Sequence, residues 1–244
     1  MTASPELREK LLLAHQILSS YGAFELNLGH VSVRLNEPDR YLIIGHIHHL
    51  GKSFDDLAPE HLTIMDGNGE VVEGELKPPG ERFIHTEIYK ARPDVISAVH
   101  SHSPSVIPFG LVGAEMQAMF HNAAFLAVGV PVFDISEKFG ATDMLVSDGP
   151  RGVALAGTLG TKPVALMRAH GSVACGPSLQ VAVFRAVYTE VNARIQHWAA
   201  AMSNGSSIAA LNEKEGRLAD VPNQTAGLRA WDLWRSQVRA QVGW

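Results

Sequence analysis

The stretch Arg92-Pro93-Asp94-Val95-Ile96-Ser97-Ala98-Val99-His100-Ser101-His102 organises the reading of this chain. Arg92-Pro93-Asp94 stops whatever helix precedes it, because the residue before a proline is driven out of the helical region. The apolar run over residues 95–100 has the length and composition of a buried strand. His100 and His102 stand two apart, and side chains two apart on a strand share a face. Two neutral imidazoles aimed at one point suit a divalent cation at about 2.0–2.1 Å per nitrogen. The same pair also fits a strand end that simply leaves the sheet for solvent, so further ligands have to decide.

Working outward, Pro79-Gly80 breaks the chain ahead of a helix expected from about residue 81 to residue 91. Upstream, Asp66-Gly67-Asn68-Gly69 between residues 62–65 and 70–72 signals a hairpin. Residues 31–35 and 41–44 read as strands separated by the turn residues Asn36, Pro38 and Asp39. Ser4-Pro5 followed by Leu7, Leu11, Leu12, Ala14 and Leu18 reads as a capped amphipathic helix closing at Gly22. Downstream, residues 131–135 and 164–167 read as strands flanking a Gly/Ala-rich helix near 151–159. A long helix is expected from about residue 178 to residue 202, then a polar helical tail holding Trp231, Trp234 and Trp244. Strands and helices alternate without a strict βαβ rhythm, which predicts an α/β domain with a mixed sheet.

The 244 residues are enough for one large domain with a substantial core. Apolar residues at 46% and charged residues at 18% exclude a disordered chain. A net charge of −5 offers no basic field, which argues against nucleic acid as a partner. No apolar run approaches the ~20 residues that span a bilayer, and residues 1–10 lack the order of a signal peptide. The single cysteine, Cys175, rules out an intramolecular disulfide and suits a reducing cytoplasm, where the protein is expected.

Twelve histidines stand out from this ordinary composition. His170 follows the apolar run 164–167 and precedes Gly171, so it too lies at a strand end beside a tight turn. A third imidazole from a separate strand is what a three-histidine site with open positions requires. Glu81, Glu87 and His85 are rivals for a further role, because a carboxylate near the start of a helix also serves as a simple dipole partner.

These segments together resemble the class II aldolase/adducin family over roughly residues 6–202. The likeness is carried by Gly29-His30-Val31-Ser32-Val33-Arg34, by Lys77-Pro78-Pro79-Gly80-Glu81-Arg82-Phe83-Ile84-His85 and by Arg92-Pro93-Asp94-Val95. It continues through His100-Ser101-His102-Ser103-Pro104 and His170-Gly171. The resemblance implies a three-layer αβα fold with a mixed, largely antiparallel central sheet. Residues 1–205 then form the catalytic domain, and 206–244 a tail packing on it or on a neighbouring subunit. It assigns metal binding to His100, His102, His170 and Glu81, with Glu81 also the catalytic acid/base. It implies a homotetramer with sites between subunits, which would bring His121 near a boundary.

The departures from the sugar-phosphate aldolases of that family narrow the substrate. Ile44-Gly45-His46-Ile47-His48-His49 stands where they carry a phosphate loop, Pro79-Gly80 offers no hydroxyls, and His30 replaces their usual asparagine. The runs Glu81–His85, 100–110 and 184–188 look closest to a decarboxylase branch. That branch includes 3-hydroxy-2-methylpyridine-4,5-dicarboxylate and dihydroxyphthalate decarboxylases. The expectation is a lyase that removes carbon dioxide, without oxidation, from a hydroxylated aromatic or pyridine dicarboxylate through a metal-stabilised enolate. The cation is manganese, zinc, iron or cobalt. Glu81 must be protonated to act as acid, which calls for a pKa raised by burial or by the substrate's negative charge. His30, Ser32, Arg34, Arg82 and His121 are the candidates for holding this aromatic carboxylate, and His46, His48 and His49 for the pocket mouth. An aldolase acting on a non-phosphorylated hydroxy-oxo acid, an iron oxygenase and a non-enzymatic adducin-like module are the competing readings.

Overall fold

A computed structural model describes residues 3–24, 28–47 and 50–242. Helix α1 (Pro5–Ser20) starts where the Ser4 side chain accepts the Leu7 N–H and Pro5 fills the first turn, the chemistry a helix N-terminus favours. Strands β1 (Gly29–Arg34) and β2 (Tyr41–Ile44) pair antiparallel. Strands β3 (Leu62–Met65) and β4 (Val71–Glu73) pair around the turn at residues 66–69. Helix α2 (Phe83–Ala91) leads into β5 (Ser97–Ser101). A 3-10 segment (His121–Val128) precedes β6 (Val132–Phe133), α3 (Ile135–Phe139) and α4 (Gly149–Leu159). Strands β7 (Val164–Met167) and β8 (Gly171–Gly176) form a further hairpin, followed by α5 (Leu179–Ser203) and α6 (Glu213–Val242).

The eight strands make one sheet in the order β4-β3-β2-β1-β5-β8-β7-β6. Every pairing is antiparallel except β6 with β7. Helices α2 and α4 pack together on one face, while α1 and α5 cover the other. This is the three-layer α/β architecture the sequence led us to expect. The middle strands β1, β2, β5, β7 and β8 are buried on both faces except at the two ends of β1, which explains their near-continuous apolar runs. Among the described residues, no helix is long and apolar enough to cross a membrane.

Three expectations require correction. Residues 131–135 form only the two-residue β6, because Asp134 caps α3 by accepting the Ser136 N–H and so turns the chain into a helix. Strand β8 was not expected at all, and Gly171-Ser172-Val173-Ala174-Cys175-Gly176 lacks the bulky β-branched residues that advertise a strand. It is small because it is central. A Cβ on Gly171 would overlap the Ser101 carbonyl oxygen, and one on Gly176 would meet the Ala182 backbone nitrogen at 2.5 Å. Finally, α2 begins at Phe83, so Glu81 lies in the turn before the helix rather than in its first turn.

Helix α6 packs back on its own chain. Trp231, Trp234 and Val238 are buried, Asn223 Nδ2 donates to the His121 carbonyl at 2.7 Å, and Trp234 sits 5.3 Å from the Tyr21 ring. Beside it, where β8 ends and β5 and β7 begin, lies a cleft of about 400 Å³ lined in part by Arg92, Asp94, Arg185, Arg217 and Asp220. Its arginines face acids, Arg92 with Asp94 at 2.6 Å, Arg217 with Glu213 at 2.6 Å and Arg185 with Asp220 at 3.6 Å. Trp244, His48 and His49 lie outside the described residues.

Candidate metal centre

At the opposite end of β5, the strand delivers His100 to the face covered by α2, directly opposite His30 of β1 in the register. His102 follows two residues later on the same side. His170 enters from the turn between β7 and β8, where Ala169 adopts φ 55° and the absent side chain of Gly171 lets the backbones meet. Glu81 enters from the turn before α2. One donor atom from each of Glu81, His100, His102 and His170 lies within 4.8 Å of the others.

The donor chemistry fits a divalent cation. His100 Nδ1 lies 3.1 Å from the Ser172 carbonyl, and His170 Nδ1 lies 3.1 Å from that of Met144. A carbonyl only accepts, so each Nδ1 carries the proton and each Nε2 of the neutral ring is bare. Yet His100 Nε2 is 2.9 Å from His102 Nε2, which is 3.0 Å from His170 Nε2. Glu81 Oε2 closes the group at 3.3 Å from His170 and 3.6 Å from His100. Ligands about 2.0–2.1 Å from a common cation sit about 3.3–3.4 Å apart in a tetrahedron. Converging lone pairs beside a carboxylate repel one another unless a cation stands between them.

Burial pushes the Glu81 carboxyl up, but His100 and His170 beside Oε2 pull it down by more, below the ordinary carboxylate range. Burial alone therefore does not raise the Glu81 carboxyl, which leaves the substrate's negative charge as the expected route to a protonated Glu81. The other carboxylate oxygen, Oε1, accepts the Val146 N–H at 2.9 Å. His102 is pushed down to about 3 by burial, then by His100 and His170.

The proposed substrate-holding residues separate on inspection. His30 is buried beside the centre, its ring 5.0 Å from that of His100. Its Nδ1 lies 2.6 Å from His85 Nε2, His85 Nδ1 lies 2.6 Å from Ser32 Oγ, and Ser32 Oγ lies 2.7 Å from the Tyr89 hydroxyl. Ser32 is thus fully enclosed within a polar chain beneath α2. Arg34 is four residues along β1 from His30, roughly 13 Å at strand rise. Its guanidinium donates to the carbonyls of Tyr89, Arg92 and Val95 and lies over the Tyr89 ring. Arg82 turns away under the β3–β4 turn, where Gly69 leaves room for it, and stacks on Phe83. His121 is exposed on the surface of its own chain, at the start of the 3-10 segment. His46 is exposed too. Of the five, the structure brings only His30 to the centre. The residues that sequence reasoning missed are His85, which it weighed only as a rival to Glu81, and the backbone of Met144 and Val146. A main-chain contact from a loop leaves no side-chain signature to read.

Comparison with known proteins adds four findings. A model of the "Class II Aldolase and Adducin N-terminal domain" matches residues 9–197. The chain is 32% identical to "Decarboxylase tropJ" of Talaromyces stipitatus, over 93% of this chain and 90% of that protein. It is 26% identical to the 3,4-dihydroxyphthalate decarboxylase of Arthrobacter keyseri, over 97% of this chain and 95% of that one. Among solved structures, the L-fuculose 1-phosphate aldolase of Glaciozyma antarctica superposes with a TM-score of 0.78 at 20% identity, covering all of this chain and 94% of the other.

Proposed function

This chain belongs to the class II aldolase and adducin family, and on that premise we propose that it is a metal-dependent, non-oxidative decarboxylase of a hydroxylated aromatic or pyridine dicarboxylate. Its relatives are decarboxylases and aldolases, so the broader class, a carbon–carbon lyase, stands independently of the substrate. The observation that carries the proposal is the division of labour within Glu81. One oxygen is docked on the Val146 N–H while the other faces three converging histidines.

Glu81, His100, His102 and His170 would hold the cation, which supplies Lewis-acid stabilisation to the oxyanion that develops as the carbon–carbon bond breaks. Glu81 begins as a carboxylate, so the proton it delivers is one it first takes. It removes the proton of the ring hydroxyl and passes it to the ring carbon bearing the departing carboxylate. That carbon–carbon bond then breaks, carbon dioxide leaves, and the bonding pair returns through the ring to the oxygen. A solvent proton restores the hydroxyl. His30, held neutral by burial and by the nearby His85 and His100, offers its Nε2 edge to the second carboxylate.

The test is carbon dioxide release from a panel of ortho-hydroxy aromatic and pyridine dicarboxylates, with metal content measured on the same sample. Release from at least one ring supports the proposal. Pyruvate or aldehyde from hydroxy-oxo acids, with no release from any ring, replaces it with the aldolase reading. Glu81→Gln is expected to retain cation and lose at least ~100-fold in turnover, the low end for a general acid/base.

A further inference from the structure

His100 is fixed by β5 and by the Ser172 carbonyl, but Glu81 and His170 come from turns. Both are fixed by one irregular segment, residues 140–148, which belongs to no strand and contains no helical turn. The Met144 carbonyl accepts from His170 Nδ1, and two residues later the Val146 N–H donates to Glu81 Oε1. The spacing of these two groups therefore sets the spacing of two ligands. Met144 reaches its position only by adopting φ 67°, a left-handed conformation that strains a non-glycine residue and persists only when its surroundings dictate it.

Arg151, in the first turn of α4, supplies much of that constraint. Its Nη1 lies 2.8 Å from the Leu145 carbonyl, 3.0 Å from Asp143 Oδ1 and 3.1 Å from Ser147 Oγ. Its Nε lies 3.3 Å from Asp148 Oδ2, the carboxylate that caps the same helix. One rigid guanidinium therefore gathers four residues that bracket Met144 and Val146. A planar, forked donor suits this task in a way a single ammonium does not.

We infer that Arg151 is a positioning residue of the metal centre, acting through the backbone of residues 143–148 to hold Glu81 and His170 against His100 and His102. The inference rests on the cluster being a metal centre. Outer-shell partners of metal ligands are typically worth 10–100-fold in affinity or activity, and Arg151 stands one step behind two of them at once.

The experiment measures Zn(II) and Co(II) affinity of the full-length protein by competition with a chromophoric chelator, together with the visible absorption of the Co(II) form. Arg151→Gln is expected to bind about tenfold more weakly and to show an altered Co(II) spectrum, because two of four ligands lose their register. Arg151→Lys should recover part of the affinity. Arg92→Gln serves as control: that arginine is equally engaged, by Asp94 and the Gly160 and Lys162 carbonyls, but at the far end of the sheet. It should lower the unfolding midpoint and leave affinity and spectrum unchanged. Should Arg151→Gln fail to fold, Asp143→Asn weakens one arm of the same clamp from an exposed position and should shift affinity in the same direction by less. Wild-type affinity and an unaltered spectrum in the Arg151 variant, or in Asp143→Asn where that variant stands in for it, would overturn the inference. A wild-type protein that takes up no divalent cation would overturn the reading of the centre itself, and the inference with it.

Discussion

His85 has no accessible surface, and both of its ring nitrogens are engaged, one by His30 and the other by Ser32. Its proton inventory ties the chain beneath α2 to the centre. For His30 to offer an Nε2–H to an anionic substrate, His30 Nδ1 must accept from His85 Nε2–H. His85 Nδ1 must then accept from the Ser32 hydroxyl, whose oxygen is free to accept from Tyr89. Burial pushes His85 down to about 3, and His100 adds to the effect, so the ring is neutral and this sequence of donors is permitted at neutral pH. His85→Phe would leave the buried Ser32 hydroxyl and His30 nitrogen without that partner, at about 1–3 kcal/mol for each group stranded. The expected outcome is a lower urea midpoint and a KM for the dicarboxylate raised by roughly tenfold, the worth of about 1.4 kcal/mol of lost binding, with a smaller change in kcat. An unchanged KM would detach the chain from substrate binding. At this scale the sequence was most informative about ligands, because His-x-His on a strand has a geometry that follows from spacing alone. It was least informative about partners such as Ser32 and Arg34. An alternating strand reveals that His30, Ser32 and Arg34 share a face, but not that α2 covers that face from Ser32 onward.

Helix α1 is fastened to the sheet through another buried histidine. His15 Nδ1 donates to the Leu11 carbonyl at 2.8 Å, and His15 Nε2 accepts the Val31 N–H at 3.3 Å. The accepting nitrogen has to be bare, and burial pushes the His15 pKa from 6.5 down to about 4. Below pH 6.5 the unfolded chain takes up a proton that the folded chain refuses until about pH 4. The unfolded state therefore binds more protons in this window, and stability falls as pH falls through it. Across this window the loss amounts to up to about 3 kcal/mol from this one group. His15→Gln, whose amide can donate to Leu11 and accept from Val31 without titrating, is expected to flatten the slope of unfolding free energy between pH 6.5 and 4. Denaturant titrations of both proteins across that range would check it, and parallel slopes would exclude His15 as the cause. The helix itself was legible from Ser4-Pro5 and its apolar spacing. Its docking was not, since a lone buried histidine on an apolar face looks the same in sequence whatever it bonds. Strand β8 was hidden for a different reason. Its glycines answer to close contacts with β5 and α5, and tertiary crowding selects small residues that local propensity reads as turn.

The molecule as a whole has two poles, with the histidine cluster where β5 ends and the charged cleft beside α6 where β5 begins. Much of the frame was readable because buried strands and capped helices announce themselves locally, whereas strand order and the seat of α6 depend on contacts distant in sequence. The tail is a case in point: its mean character is polar, but Trp231, Trp234 and Val238 form a buried row. That row meets Tyr21 beyond α1 and Phe184 and Tyr188 of α5. We therefore propose that residues 206–242 are integral to the domain rather than an appendage. Trp234→Ala should cost about 3–5 kcal/mol, as large-to-small changes in a core do. It should lower the urea midpoint without changing the affinity of the distant histidine cluster for Zn(II). Metal removal acts through the other pole and by a different law. A cation present at 100 times its dissociation constant stabilises the folded state by about 2.7 kcal/mol through mass action. Chelation should therefore lower the melting temperature by roughly 5–10 °C in a chain of this size. Because the two perturbations share no partners, their free energies should add to within about 0.5 kcal/mol. Melting wild type and Trp234→Ala with and without chelator measures this directly. A metal increment that changes with the tryptophan would mean that the two poles communicate through the sheet.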